Sequence, residues 1–229
     1  MRDWLKKRLN NQFERDAFVK SELSKLVPGT KILDAGAGGQ RYREFCEHLT
    51  YKAQDFGKYK SDQNKLIGAE EEVQDYLYGD LDYVGDIWDI KEEPNTFDSI
   101  LCTEVFEHIP YPIEAVREFS RLLRPGGTLI LTAPSNCLRH FDPYFFHTGF
   151  SDRWYETILP ENGFSINSLC PVGDYYSWLA VEMARTAKAH SLWVKALVLP
   201  AFLYFFNKKK TETSVNSLCM GYHVVATKL

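Results

Sequence analysis

The sequence predicts an α/β domain, an open and mostly parallel sheet of seven strands with helices on both faces. Two features carry this. Short apolar runs of strand length alternate with stretches of helical period, and that alternation implies parallel strands joined by right-handed crossovers. The first such run, Ile32-Leu33-Asp34, leads into a turn holding Gly36, Gly38 and Gly39. In open α/β sheets ligands lie beyond the carboxyl ends of the strands, so a glycine-rich turn at that place is a nucleotide-site candidate.

The elements follow in order. Residues 3 to 26 place Leu5, Leu9, Phe13, Ala17, Val19, Leu23 and Leu26 as an apolar helix face, and Pro28-Gly29 ends it. The first strand runs to Asp34, and a helix is expected from about Gln40 to Leu49. Tyr51 to Asp55 is the second strand, again closed by an acid. Residues 56 to 80 hold no clean period. A structureless loop this long is uncommon, so a short helix over residues 68 to 77 is expected, with a mobile lid and a solvated insertion as the open readings. Asp82 to Asp86 is a third strand and Phe97 to Thr103 a fourth. Pro112 opens a helix at a position that tolerates proline, with Ala115, Val116, Phe119, Leu122 and Leu123 inward and Arg124-Pro125-Gly126-Gly127 as its stop. Thr128 to Ala133, a helix over 151 to 162, Phe164 to Cys170 and Leu218 to Thr227 complete the alternation.

A chain of 229 residues fits a single domain spanning 1–229. Its net charge of −4, with no large basic block, argues against nucleic acid as a partner. The five cysteines are odd in number and lack C-x-x-C spacing, which predicts neither disulfides nor a zinc site. Cys102, Cys170 and Cys219 lie in apolar runs and are expected to be core thiols in a reducing cytoplasm. The first 26 residues mix both charge signs without an apolar core, so no signal peptide is expected.

Spacing in the glycine turn narrows the nucleotide. A dinucleotide fingerprint needs a third glycine for close helix–strand packing, and Arg41 occupies that position. Asp34, just before the loop, is unhelpful beside a pyrophosphate and useful beside an ammonium and a sulfonium. Asp34-Ala-Gly-Ala-Gly38 resembles motif I of the class I S-adenosylmethionine-dependent methyltransferases. Further landmarks fall in order: Asp55, Gly85-Asp86-Ile87, Phe97-Asp98, Glu104-Val105-Phe106-Glu107-His108-Ile109, and Leu123-Arg124-Pro125-Gly126-Gly127. From Lys31 to Cys170 the chain is similar to that superfamily, and most to its small quinone-biosynthesis branch. The resemblance implies a Rossmann-like sheet with an antiparallel last strand, S-adenosyl-L-methionine as cofactor, and methyl transfer to an oxygen, nitrogen or carbon of a small-molecule or lipid-like acceptor.

Roles follow from that resemblance and from the residues. Gly36 and Gly38 let the backbone approach the methionine portion, and Asp34 orients its amino group. Asp55, with two acceptor oxygens, suits the ribose hydroxyls. Asp86 faces the adenine amino group and the Ile87 N–H a ring nitrogen. Thr103 and Glu104 are expected near the methyl donor. Glu107-His108 recurs with different acceptors and is taken as cofactor-side architecture; Asp98, at the wrong end of its strand, is taken as structural. No metal is expected. The acceptor loop is 134 to 150, with His140, Asp142, Tyr144, Phe145, Phe146 and His147. His147 is the first candidate base because histidine titrates near neutrality, and His140, beside Arg139, is the second.

Residues 175 to 210 form a helical apolar insertion between strands six and seven. Tyr176, Leu179, Ala180, Met183, Ala184 and Ala187 make one face; residues 191 to 206 are almost wholly apolar, and Lys208, Lys209 and Lys210 follow. Two readings stay open: packed helices or a homodimer interface, and a peripheral membrane contact with lysines on anionic headgroups. Two other functions also stay open: a methyltransferase-like scaffold without activity, and an NAD(P)-dependent oxidoreductase.

Overall fold

The computed structural model describes residues 11–60 and 76–229. Its elements in order are α1 (Asn11–Lys25), β1 (Lys31–Ala35), β2 (Thr50–Asp55), β3 (Tyr83–Val84), β4 (Phe97–Thr103), α2 (Pro112–Leu122), β5 (Leu123–Pro134), α3 (Asp152–Glu161), β6 (Phe164–Val172), α4 (Tyr175–Ala189), α5 (Leu192–Phe206), α6 (Glu212–Ser217) and β7 (Gly221–Lys228). The sheet order is β3-β2-β1-β4-β5-β7-β6. β1 to β5 pair in parallel, and β7 runs antiparallel to both β5 and β6. The seven-stranded α/β sheet with one reversed strand is therefore the fold expected from the sequence.

Side chains alternate across a strand, and this splits the core into two layers. Ile32, Leu101 and Ile130 turn to the face covered by Val19 and Leu23 of α1. Leu33, Ile100 and Leu129 turn to the other, where Phe119 and Leu122 of α2 and Tyr155 and Leu159 of α3 close over them. The predicted inner face of α2 is fully buried at Ala115, Val116, Phe119 and Leu122. Asp98 has the structural role expected: it accepts from the Lys31 N–H at 2.8 Å and pairs with Arg124 at 2.6 Å.

Several expectations need correction. The helix expected from Gln40 to Leu49 is a series of tight turns around a 3-10 segment, Arg43–Cys46. Gln40 takes a positive φ of 57°, which an α-helix does not tolerate, and its amide is held by the Asp80 carbonyl. The third strand shrinks to two residues, and the fifth begins five residues early because Leu123 already pairs with Phe97. Cys102 and Cys219 are buried, but Cys170 is exposed. It lies on β6, an edge strand with a register shift between Ile166 and Ser168. The start of the helix expected at residue 3, the lid and most of the short helix at 68 to 77 lie outside the described residues; Tyr76 and Leu77 are not helical. The apolar insertion is a pair of helices, α4 and α5.

Candidate active site

Strands β2 and β3 lie to one side of β1, and β4 and β5 to the other. The sheet therefore changes direction between β1 and β4, and a ligand crevice forms beyond the carboxyl ends at such a point. A cavity of about 860 Å³ opens there, within the size range of small-molecule sites. The glycine loop after β1, Thr103 and Glu104 at the end of β4, and the loop after β5 all line it.

The glycine loop is built by its backbone. The N–H groups of Gly36 and Ala37 both donate to the Gln54 carbonyl at 2.9 Å. Gly36 has φ +77°, and a Cβ there would run into the Val105 side chain. The Gly38 N–H donates to Asp55 Oδ2 at 2.9 Å, and Gly57 N–H donates to Oδ1 at 3.2 Å. Asp55 thus ties two turns together at the strand end while lining the cavity. Burial raises its pKa, and hydrogen bonds from Gly38, Gly57 and Phe56 oppose that rise. Asp34 lies deeper. Burial pushes its pKa up to about 7; the Tyr51 hydroxyl, 2.6 Å away, lowers it and the Asp55 charge raises it.

Glu104 sits in the left-handed region at φ 53°. Such a conformation costs ~1–3 kcal/mol for a non-glycine residue and persists only where its surroundings hold it. Here the Thr132 carbonyl accepts from its N–H, Thr132 Oγ1 donates to Oε1 at 2.9 Å, and Arg15 pairs with Oε2 at 2.9 Å. Arg15 comes from α1 and itself lines the cavity. His223 on β7 stacks on Phe18 with centroids 4.5 Å apart. Burial, helped by the Arg15 charge, depresses its pKa to about 4, so it is neutral.

The other half of the cavity is aromatic. Tyr59 stacks on Phe141 at 4.4 Å, and Tyr76 meets both edge-on. His108 Nδ1 donates to the Tyr144 carbonyl at 2.8 Å, and His140 Nδ1 donates to the Leu138 carbonyl at 2.8 Å. Each Nδ1 faces a carbonyl, so the neutral tautomer that these contacts select has its lone pair on Nε2. The two rings meet edge to face at 4.7 Å. Glu107 is buried, with Oε2 unpartnered and Oε1 3.6 Å from His108 Nε2. Burial, then the Glu104 charge, raises its pKa well above its ordinary value, which favours the protonated form. Cys137, also in the wall, is pushed by burial to about 12 and is no nucleophile. Among the described residues Glu107, His108 and His140 each offer one ligand atom, all within 4.8 Å of one another. With Glu107 ionised, two imidazoles and a carboxylate form a donor set that suits a divalent cation, whereas no metal was expected from the sequence.

Of the residues singled out from the sequence, Gly36, Asp55, Asp86, Ile87, Thr103, Glu104 and His140 line the cavity. Asp34 and Gly38 do not line the cavity, but Gly38 is hydrogen-bonded to Asp55, which does, and a Cβ on it would meet Tyr76 of the cavity wall. His147 does not line it: its backbone N–H donates to the Glu107 carbonyl, its ring packs 5.3 Å from Phe150, and its buried Nε2 has no partner. The loop after β5 thus presents His140 to the cavity and turns His147 inward. Arg15, Trp178 and Arg185 also line the cavity and were missed, since nothing in their sequence surroundings links them to the glycine loop. Glu107-His108 had a visible signal in its motif and was assigned to the cofactor side alone.

Fold and site are similar to those of class I S-adenosylmethionine-dependent methyltransferases. Residues 33–131 match the family described as methyltransferase domain. Among curated proteins, the ubiquinone biosynthesis O-methyltransferase of Xanthomonas campestris pv. campestris is 34% identical over 110 residues, 46% of this chain and 44% of the relative. That of Xylella fastidiosa is 33% identical over 126 residues, covering 52% and 48%. The chain thus matches about half the length of these relatives. Among solved structures, geranyl diphosphate methyltransferase with S-adenosylmethionine aligns at a TM-score of 0.57 and 14% identity, over 94% of this chain and 85% of that one. An S-adenosylmethionine-dependent methyltransferase from Mesorhizobium loti aligns at 0.53 and 13% identity, over 92% and 96%. These two likenesses show the fold.

Proposed function

We propose that this chain transfers a methyl group from S-adenosylmethionine to a small-molecule acceptor. One observation carries the reading: a single cavity runs from the glycine loop and Asp55 to the His108–His140 pair. The residues present fit the cofactor. Its ribose diol, ammonium and sulfonium call for acceptors and negative charge, and Asp55, Asp86 and Glu104 supply them in one wall. When bound, S-adenosylmethionine supplies an electrophilic methyl group on its sulfonium.

The chain's own work is then placement and proton handling. Aligning two reacting groups at ~3–3.5 Å contributes ~7–11 kcal/mol toward the barrier. Tyr59, Phe141 and Tyr144 form an apolar wall that orients an acceptor and excludes water. His140 Nε2 can take a proton from an acceptor hydroxyl, with Nδ1 fixed by the Leu138 carbonyl. The curated relatives are O-methyltransferases of ubiquinone biosynthesis, which favours an oxygen acceptor, and an apolar wall accommodates a lipid-like one.

Calorimetry with S-adenosylmethionine, S-adenosylhomocysteine and NAD tests the first step. Binding of the first two and not of NAD is expected. Asp55→Ala should weaken that binding at least tenfold, because it removes ribose acceptors and leaves the Gly38 N–H unpaired. Hydrogen bonds to charged groups contribute ~1.5–3 kcal/mol each. An unchanged dissociation constant in a folded variant would refute the assignment.

A further inference from the structure

The α4–α5 hairpin is the feature that methyl transfer leaves unexplained. Nearly every residue of α5 from Leu192 to Phe206 is apolar, yet only Phe206 is buried. Phe202 and Phe206 stack with each other, and the adjoining side of α5 packs on α4, where Phe205 stacks on Tyr176. The exposed apolar residues Leu192, Trp193, Leu197, Leu199, Leu203 and Tyr204 fall, at 100° per residue, in one arc of about half the helix circumference. Trp193 is 86% and Leu197 79% exposed. A helix that is apolar all round belongs in a core or in lipid, and the described residues cover just one side of this one.

Charge says what covers the other. Between Glu182 and Glu212 there is no acidic residue, but there are Lys188, Lys195, Lys208, Lys209 and Lys210, in a chain of net charge −4. The Lys208 ammonium lies 4.4 Å from the Tyr204 ring centroid, at the border between the apolar arc and the basic end. A second copy of the same face would bring two such basic clusters together. An anionic headgroup layer complements them. Among the described residues no helix is long and apolar enough to cross a membrane; 15 residues of α5 span roughly 22 Å, against the ~30 Å of a hydrocarbon core. The element fits a helix lying in the interface plane.

The hairpin is also firmly fixed at its base. Asp174 caps α4, accepting from Ser177 N–H at 3.0 Å and from Ser214 Oγ of α6 at 2.6 Å. The inner face of α4 lines the cavity with Trp178, Val181, Glu182 and Arg185. We propose that the α4–α5 hairpin seats the protein on an anionic lipid surface, with the outer arc of α5 among the acyl chains and the lysines on the headgroups. The cavity wall formed by α4 is then carried at that surface.

The test is co-sedimentation of the full chain at low salt with vesicles of phosphatidylcholine alone or mixed with phosphatidylglycerol, with its oligomeric state measured in parallel. Sedimentation with the mixed vesicles, and much less with the neutral ones, is expected. Lys209→Gln/Lys210→Gln should weaken it, by about fivefold per charge. Trp193→Glu/Leu197→Glu should abolish it, and should leave the melting temperature unchanged because both side chains are exposed. No sedimentation with anionic vesicles would overturn the proposal. So would a dimer that the Trp193→Glu/Leu197→Glu change dissociates, in a protein that ignores vesicles; that outcome would give the face to a second copy.

Discussion

His223 makes the stability of this domain acid-sensitive by an amount that can be worked out. Its imidazole is stacked on Phe18 beside Arg15, and its pKa falls from 6.5 to about 4. A group whose folded pKa is depressed in this way takes up a proton more readily when the chain is unfolded. Its penalty therefore appears as the pH drops below 6.5 and is complete below about 4. At pH 4.5 almost every unfolded chain carries the proton, whereas about a quarter of folded chains do. Between pH 7 and pH 4.5 the difference amounts to about 2 kcal/mol of lost stability. His223→Phe keeps an aromatic ring against Phe18 and cannot titrate. Urea unfolding of both proteins at the two pH values reads the term directly, as ΔG from linear extrapolation. The variant should gain about 2 kcal/mol on the wild type when the pH is lowered. Asp34 works in the opposite sense. Its raised pKa, about 7, gives stability that is lost as pH rises from 3.8 through 7, but it is common to both proteins and cancels in the comparison. Equal losses in wild type and variant would refute a neutral, buried His223.

Gly36→Ala places a side chain at φ +77° against Val105; the backbone term alone costs ~1–2 kcal/mol, read as a lower urea midpoint together with weaker S-adenosylmethionine binding. Adding Val105→Ala should restore the space and recover part of the midpoint, but leave the backbone cost. Once an acceptor is known, His140→Ala should lower turnover ~10²–10⁴-fold with near-normal cofactor affinity. His147→Ala should lower the melting temperature with a smaller effect on turnover, and the reverse pattern in steady-state kinetics would return the role of base to His147.

Strand positions were legible wherever alternation and glycine punctuation agreed. Phe97 to Thr103 matches the strand to the residue, Asp55 closes β2 as expected, and Asp34, where a short apolar run meets an acid, lies one residue before the end of β1. The segment after Gly39 misled because Tyr42, Phe45, Cys46 and Leu49 are apolar at near-helical spacing, but long-range bonds decide its backbone. Tyr42 is tied to Asp16 of α1 and Gln40 to Asp80, and neither partner is visible in local sequence. The same limit hid Arg15, which reaches Glu104 from 89 positions away. For His147 and His140 the position in the loop was right and the side-chain direction could not be read. A positive φ of 57° at Phe141 turns the chain between them, and no glycine marks that turn.

The reversal of β7 has an architectural consequence. Its first residue, Gly221, pairs with both Pro134 at the end of β5 and Val172 at the end of β6. The α4–α6 excursion therefore leaves β6 and rejoins the sheet at β7 on one rim, the same rim at which the acceptor loop leaves β5, whereas that loop crosses through α3 to re-enter β6 at the opposite end. An excursion stitched in at such a seam behaves as an interchangeable cassette. A change confined to the segment between β6 and β7 alters the surface that α4 and α5 present, while the pairing of the strands and the glycine loop after β1 stay as they are.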